Sequence, residues 1–143
     1  MDGRAEAETA LGAALDAVGD RWTLLIVEAL LAGPRRFGEL QEAVPGIAPN
    51  ILTARLRQLE AQALVVASAY SERPPRFVYE LSAAARELAG PLRLLADWGA
   101  RHGDAEPPRH AVCGTPLEAR LWCPSCEMPV DADEAGDGED VEV

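Results

Sequence analysis

The stretch PGIAPNILTARLRQLEAQ, residues 45–62, decides the fold. Pro45-Gly46 ends any helix before it, and Pro49 is a favoured first-turn residue, so a helix is expected from about Pro49 to Gln62. Leu52, Leu56, Leu59 and Ala63 follow the helical period and line its buried side. Asn50, Ala54, Arg57, Gln58 and Ala61 fall opposite, with Thr53 and Arg55 on the flanks. A short helix over Phe37 to Val44 precedes the Pro-Gly turn. Two helices so joined, the second with a polar outer face, form a helix-turn-helix pattern.

Working outward, Leu11, Leu15 and Val18 recur at helical spacing and predict an amphipathic helix over residues 8–18. Asp20 is placed to cap a second helix that runs through Leu31 and is apolar around much of its circumference, hence central. Gly33-Pro34 stops it. Downstream, Leu64–Tyr70 and Arg76–Leu81 carry strand-forming residues, with Phe77, Tyr79 and Leu81 alternating against Val78 and Glu80. Ser71-Glu72-Arg73-Pro74-Pro75 between them reads as a loop that cannot be regular strand. The result is a β-hairpin with a stiff tip. Ser82 caps a last helix bearing the stripe Leu88, Leu92, Leu95 and Trp98, which Pro91 should kink or split. The expected class is α+β, mainly α with a β-hairpin wing.

Charge first looks hostile to nucleic acid. The 143 residues carry a net charge of −11. All 13 cationic residues are Arg, and they are unevenly placed. Between Arg21 and Arg76 there are seven Arg against five acids, whereas residues 111–143 hold one Arg against nine acids. The acidity belongs largely to a tail, and DNA is not excluded. No apolar run approaches the ~20 residues that a membrane span needs, so the expectation is a soluble, cytoplasmic protein without membrane contact. With only two His, no nucleophile motif and no phosphate-cradling Gly loop, an enzyme is disfavoured.

Helix and wing together point to duplex DNA. A recognition helix over about 49–62 would lie in the major groove and present Asn50, Thr53, Arg57 and Gln58 to base edges. Arg57 suits guanine, because its guanidinium fork matches O6 and N7. Arg55, on the helix flank, is better placed for phosphate. Arg73 and Arg76 flank the tip of the wing, residues 65–81, where a cation lies along the backbone or enters a narrow minor groove. Any one of these arginines alone reads as a solvated surface cation. Their joint placement carries the argument.

At this point the chain resembles the HxlR-type (MarR-like) winged helix-turn-helix transcription regulators of bacteria. The resemblance rests on Gly19-Asp20-Arg21-Trp22-Thr23, Gly33-Pro34-Arg35-Arg36-Phe37 and Pro45-Gly46-Ile47. It continues through Arg55-Leu56, Leu59-Glu60, Pro74-Pro75-Arg76, Tyr79-Glu80-Leu81 and Trp98-Gly99, and covers about residues 8–102. It implies a homodimeric regulator, more often a repressor, bound to a double-stranded operator and answering to a small-molecule or redox effector. It also implies dimerisation through the first and last helices, hence through Leu11, Leu15, Leu88, Leu92, Leu95 and Trp98; an intramolecular core is the plainer reading of the last stripe. Two departures stand out. Thr9 occupies about the position of a redox-sensing cysteine in many relatives, so that switch cannot operate here. The Ser that often caps the recognition helix is Ala48, and the Gly expected after it is Ala63.

A second signal lies in residues 103–130, a Pro- and Cys-rich extension ahead of an acidic tail over 131–143 that is expected to be disordered. His110-x2-Cys113-Gly114 and Cys123-Pro124-Ser125-Cys126 have the spacing of two zinc knuckles, with Leu117–Trp122 as the connecting strand. DNA binding itself requires no cofactor. His110, Cys113, Cys123 and Cys126 would hold one Zn²⁺, structural or redox-responsive. The competing reading is unligated thiols on a loose extension, able to form a Cys123–Cys126 disulfide. For the whole chain, the alternative to a DNA-binding regulator is a winged-helix protein-interaction module with a structural zinc knuckle.

Overall fold

The computed structural model describes residues 9–118 and 120–135. Its first helix, α1 (Ala10–Val18), starts where the hydroxyl of Thr9 accepts the Gly12 N–H at 2.9 Å. Asp20 caps α2 (Arg21–Leu31) as expected, its Oδ1 accepting the N–H groups of Trp22 and Thr23 at 3.0 Å each. Thr23 is buried yet satisfied, since its hydroxyl donates to Asp20 Oδ2. The short α3 (Phe37–Ala43) and the recognition helix α4 (Pro49–Ala61) follow, separated by a turn in which Gly46 takes φ +84°.

The core forms where α2, α3 and α4 meet. Ile26 and Val27 on α2, Leu40 on α3, and Leu52, Leu56 and Leu59 on α4 are buried together with Val44, Val65 and Leu81. Burying each such side chain stabilises the fold by about 1.5–3 kcal/mol, and their spacing leaves the outer face of α4 free. Ala63 departs from expectation. It is exposed and takes φ +57°, closing the helix in the left-handed conformation that glycine usually supplies, so it lies outside the core.

The wing is longer and tighter than the sequence predicts. β2 (Val65–Glu72) pairs antiparallel with β3 (Pro75–Leu81), and the ladder runs to Ser71↔Arg76 and Glu72↔Pro75 after an irregularity between Ala69 and Ser71. Only Arg73 and Pro74, joined by a cis peptide bond, are left to form the tip. Pro75 is tolerated because it opens its strand, where the missing N–H disturbs the ladder least. A further strand, β1 (Arg35–Arg36), adds to the other side of β3 and gives the order β1-β3-β2. Nothing in the sequence pattern announces it.

Pro91 splits the last helix as expected. Ser82 caps α5 (Ala83–Arg86), and Pro91 sits in the first turn of α6 (Ala89–Arg101), where its missing N–H costs least. The fold divides into two compact units, and the division falls inside α6, between Leu92 and Arg93. The second unit contains the two-stranded sheet β4 (Leu121–Cys123) and β5 (Met128–Val130), with Cys123 opposite Met128. The connecting strand expected over Leu117–Trp122 therefore begins only at Leu121. In the tail, Ala132–Glu134 make one 3₁₀ turn rather than irregular chain, and residues 136–143 lie outside the described residues.

Candidate nucleic-acid interface

Packing of the inner face of α4 determines what its outer face presents. With Leu52, Leu56 and Leu59 turned inward, Asn50, Ala54, Arg57, Gln58 and Ala61 are all exposed. Thr53 is half-buried, and its hydroxyl donates to Pro49 O at 2.9 Å, which leaves its oxygen to accept only. Arg57 is exposed near the middle of the helix. At the wing, Arg73 lies in the tip itself rather than beside it and Arg76 follows just inside β3, both exposed.

Arg55 is the member of the set that the structure reassigns. Its Nε is buried and lies 3.2 Å from Asp20 Oδ1, at ion-pair distance but without hydrogen-bond alignment. Its Nη1 donates to Gln58 Oε1 at 3.3 Å. The side chain is thus drawn back toward the cap of α2 and away from the solvent side of α4. Burial opposes the charge on Asp20. Hydrogen bonds from the side chain and backbone of Thr23, then the Arg55 charge and the Trp22 N–H, outweigh it and hold the carboxyl below its ordinary value. Asp20 therefore joins the start of α2 to the recognition helix, a tie between residues far apart in sequence that pattern reading missed.

Two further cations, given no role from sequence, form the edge strand β1 of the same sheet. Arg36 lies over the ring of Tyr70, 4.4 Å from its centroid, and lines an open cavity of about 420 Å³ with Arg76 and Phe77. Arg35 is structural, since its Nε donates to Ala29 O at 2.8 Å. Only the doublet Arg35-Arg36 just ahead of α3 could have hinted at either.

Chain topology decides which apolar residues remain free. Leu11 and Leu15 on α1 are 68% and 51% exposed, and Leu95 and Trp98 on α6 are 56% and 55% exposed. Leu92 is buried in the core of its own chain, and Leu88 packs half-buried against that core. Leu92 is therefore withdrawn from the interface set, because the first turns of α6 spend their apolar face intramolecularly. Trp98 stacks on His102, with ring centroids 4.5 Å apart.

The chain as a whole has relatives among known proteins. The profile of the HxlR-like helix-turn-helix family matches residues 17–107. The chain belongs to the HxlR-like helix-turn-helix family. It is 38% identical over 127 residues to Rv3095, an HTH-type transcriptional regulator of Mycobacterium tuberculosis, covering 85% of this chain and 80% of the relative. The crystal structure of the HTH-type regulator YtcD superposes with a TM-score of 0.62 at 36% identity, over 68% of this chain and 99% of that one. That of the transcription factor PA1607 reaches a TM-score of 0.75 at 29% identity, over 94% of this chain and 97% of that one. An HxlR-like protein is a winged helix-turn-helix transcription regulator, and the chain is one of these rather than an enzyme. Among the described residues no helix is long and apolar enough to cross a membrane.

In the second unit the predicted ligands stand as two pairs. His110 Nδ1 lies 3.3 Å from Cys113 Sγ, and the Cys126 N–H donates to Cys123 Sγ at 3.4 Å. Hydrogen bonds from the Thr115 hydroxyl and N–H, then from His110, bring the Cys113 thiol down to about 7. The Cys126 N–H, with lesser help from its thiol and from the Ser125 N–H, lowers Cys123, while Cys126 is raised by its neighbour Cys123. Among the described residues, no three His, Cys, Asp or Glu side chains are gathered closely enough to hold a metal ion.

Proposed function

We propose that the chain works as a homodimer that binds sequence-specific duplex operators and represses transcription. The observation that carries this reading is the division of α4: buried Leu52, Leu56 and Leu59 behind, exposed Asn50, Arg57 and Gln58 in front, next to a wing tipped by exposed Arg73 and Arg76. In this reading α4 enters the major groove, Asn50 and Gln58 address base edges through their amides, and Arg57 forks onto guanine. Arg73 and Arg76 hold the backbone or the minor groove and fix register rather than sequence. Arg36 adds a backbone contact at the root of the wing. Leu11, Leu15, Leu95 and Trp98 are the residues a second copy covers, since removing large exposed apolar side chains from water is favourable. Repression follows the family's more frequent sign. An effector, small-molecule or redox, acts elsewhere than position 9, where Thr9 serves as a helix cap.

The test combines hydrodynamics with salt dependence. With three arginines per protomer on phosphate, the log K of a dimer should fall against log salt with a slope of roughly −5. Footprinting across the genome with purified protein would supply the operator for this titration. A salt-independent affinity, or a monomer by ultracentrifugation at working concentrations, would overturn the reading.

A further inference from the structure

The second unit has order without a core. Among its described residues no hydrophobic side chain is buried, and Val112 and Trp122 are 86% and 59% exposed. Yet its backbone is firmly bonded. The His110 N–H donates to Thr115 O and the Gly114 N–H to His110 O, both at 2.8 Å, and Arg109 bridges Pro116. Three residue pairs link β4 to β5. A unit this small, lacking buried apolar surface, depends on a cross-link, a metal or a partner chain to offset its ordering entropy.

Its two turns are built to one plan. Each places two candidate ligands three residues apart, His110 and Cys113 in the first, Cys123 and Cys126 in the second. Each is followed at once by a residue in the left-handed conformation, Gly114 at φ +72° and Glu127 at φ +53°. Glycine adopts that conformation freely, but glutamate does so only when its surroundings impose it. Each turn also brings its own ligands together, by the 3.3 Å approach of His110 to Cys113 and by the Cys126 N–H on Cys123 Sγ. What remains is to close one pair on the other. The chain alone leaves them as two pairs.

We propose that His110, Cys113, Cys123 and Cys126 close on one zinc ion, a structural site that supplies the missing centre of residues 93–130. Three thiolates and an imidazole are a soft donor set suited to tetrahedral Zn²⁺, and poorly suited to the oxygen-seeking Mg²⁺ or Ca²⁺. Binding displaces the thiol protons to solvent, so the ion is held by three Cys sulfurs and one neutral imidazole nitrogen. All four positions are then protein ligands, which leaves no open site for catalytic water. The proposal is independent of DNA binding and stands or falls separately from it.

The test uses the untagged full chain, purified under reducing conditions without chelator. Elemental analysis should find about one zinc per chain, and Cys123→Ser and His110→Ala should each lose most of it. After zinc removal, titration with Co²⁺ should give the intense visible bands and the thiolate charge-transfer absorption of a tetrahedral site. In the same preparation zinc should protect all three thiols from alkylation, and a chelator should restore their reactivity. Far-UV circular dichroism of each variant checks that the winged domain still folds, and Cys113→Ser serves as a second probe if Cys123→Ser does not. Zinc-free protein without a tetrahedral cobalt spectrum would overturn the site. So would equal zinc in wild type and in all three variants, or a Cys123–Cys126 disulfide found in the chain as purified under reducing conditions.

Discussion

Replacing Asp20 separates two jobs that one carboxylate performs. It caps α2 through the Trp22 and Thr23 N–H groups and faces Arg55 of the recognition helix at 3.2 Å. Asparagine keeps a capping oxygen but no charge, whereas alanine keeps neither. Both side chains of the ion pair are 33% exposed, so losing the charge costs about 0.5–1 kcal/mol once solvent screening is allowed for. Losing the cap costs about 1 kcal/mol more, so Asp20→Ala should destabilise by about 1.5–2 kcal/mol and Asp20→Asn by about half that. Urea unfolding of the full chain at neutral pH measures both. Acid supplies an independent check. The folded carboxyl is held below its ordinary value of 3.8, so the stability its charge adds is complete above that pH and is lost as pH falls through the lowered value. The advantage of wild type over Asp20→Asn should therefore close in acid. If Asp20→Asn matched wild type at neutral pH, or if the gap widened on acidification, the tie between α2 and α4 would be refuted.

Other outcomes follow from single residues. Ala63→Gly should stabilise the chain by about 1 kcal/mol, measured by urea midpoint, because alanine at φ +57° bears a steric cost that glycine lacks. Arg57→Ala should lose about 1–3 kcal/mol of binding and relax preference at one operator position, seen by competition between operator variants. Arg73→Ala should weaken all sequences alike and reduce the salt slope by about one per protomer. Truncation after Val130 removes seven acids and no base; it should tighten binding to random DNA at low salt and matter less where charge is screened.

Local rules made much of the fold legible. Leucines at helical spacing gave α2 and α4, Asp20 marked a helix start, and Pro91 marked a break. Features set by tertiary context were not. A two-residue strand such as Arg35–Arg36 has no period to detect, and only its pairing with Tyr79 and Val78 creates it. The stripe on α6 is continuous in sequence, but packing consumes Leu92 and leaves Leu95 exposed. Arg55 looked like a phosphate contact because its flank position on α4 was visible and its partner on α2 was not. The candidate base readers were legible for the opposite reason. Their exposure follows directly from which leucines the same helix buries.

How a chain of net charge −11 belongs to a DNA-binding family follows from where its charges are committed. Of the seven arginines between Arg21 and Arg76, Arg35 is bonded to the backbone of α2 and Arg55 faces Asp20, so neither is a free cation. Arg57, Arg73 and Arg76 stay exposed on α4 and the wing, with Arg36 at the wing's root. Nine of the 24 acids lie after residue 110, outside the winged domain's helices and strands. At physiological salt a charge is felt over only about 8 Å, so what phosphate meets is the local face rather than the chain's total. On the proposed reading, binding energy would then come from a few arginines held in place by packing. On that reading the orientation of α4, fixed by buried leucines and by Asp20, would matter more to recognition than the overall count of positive charge.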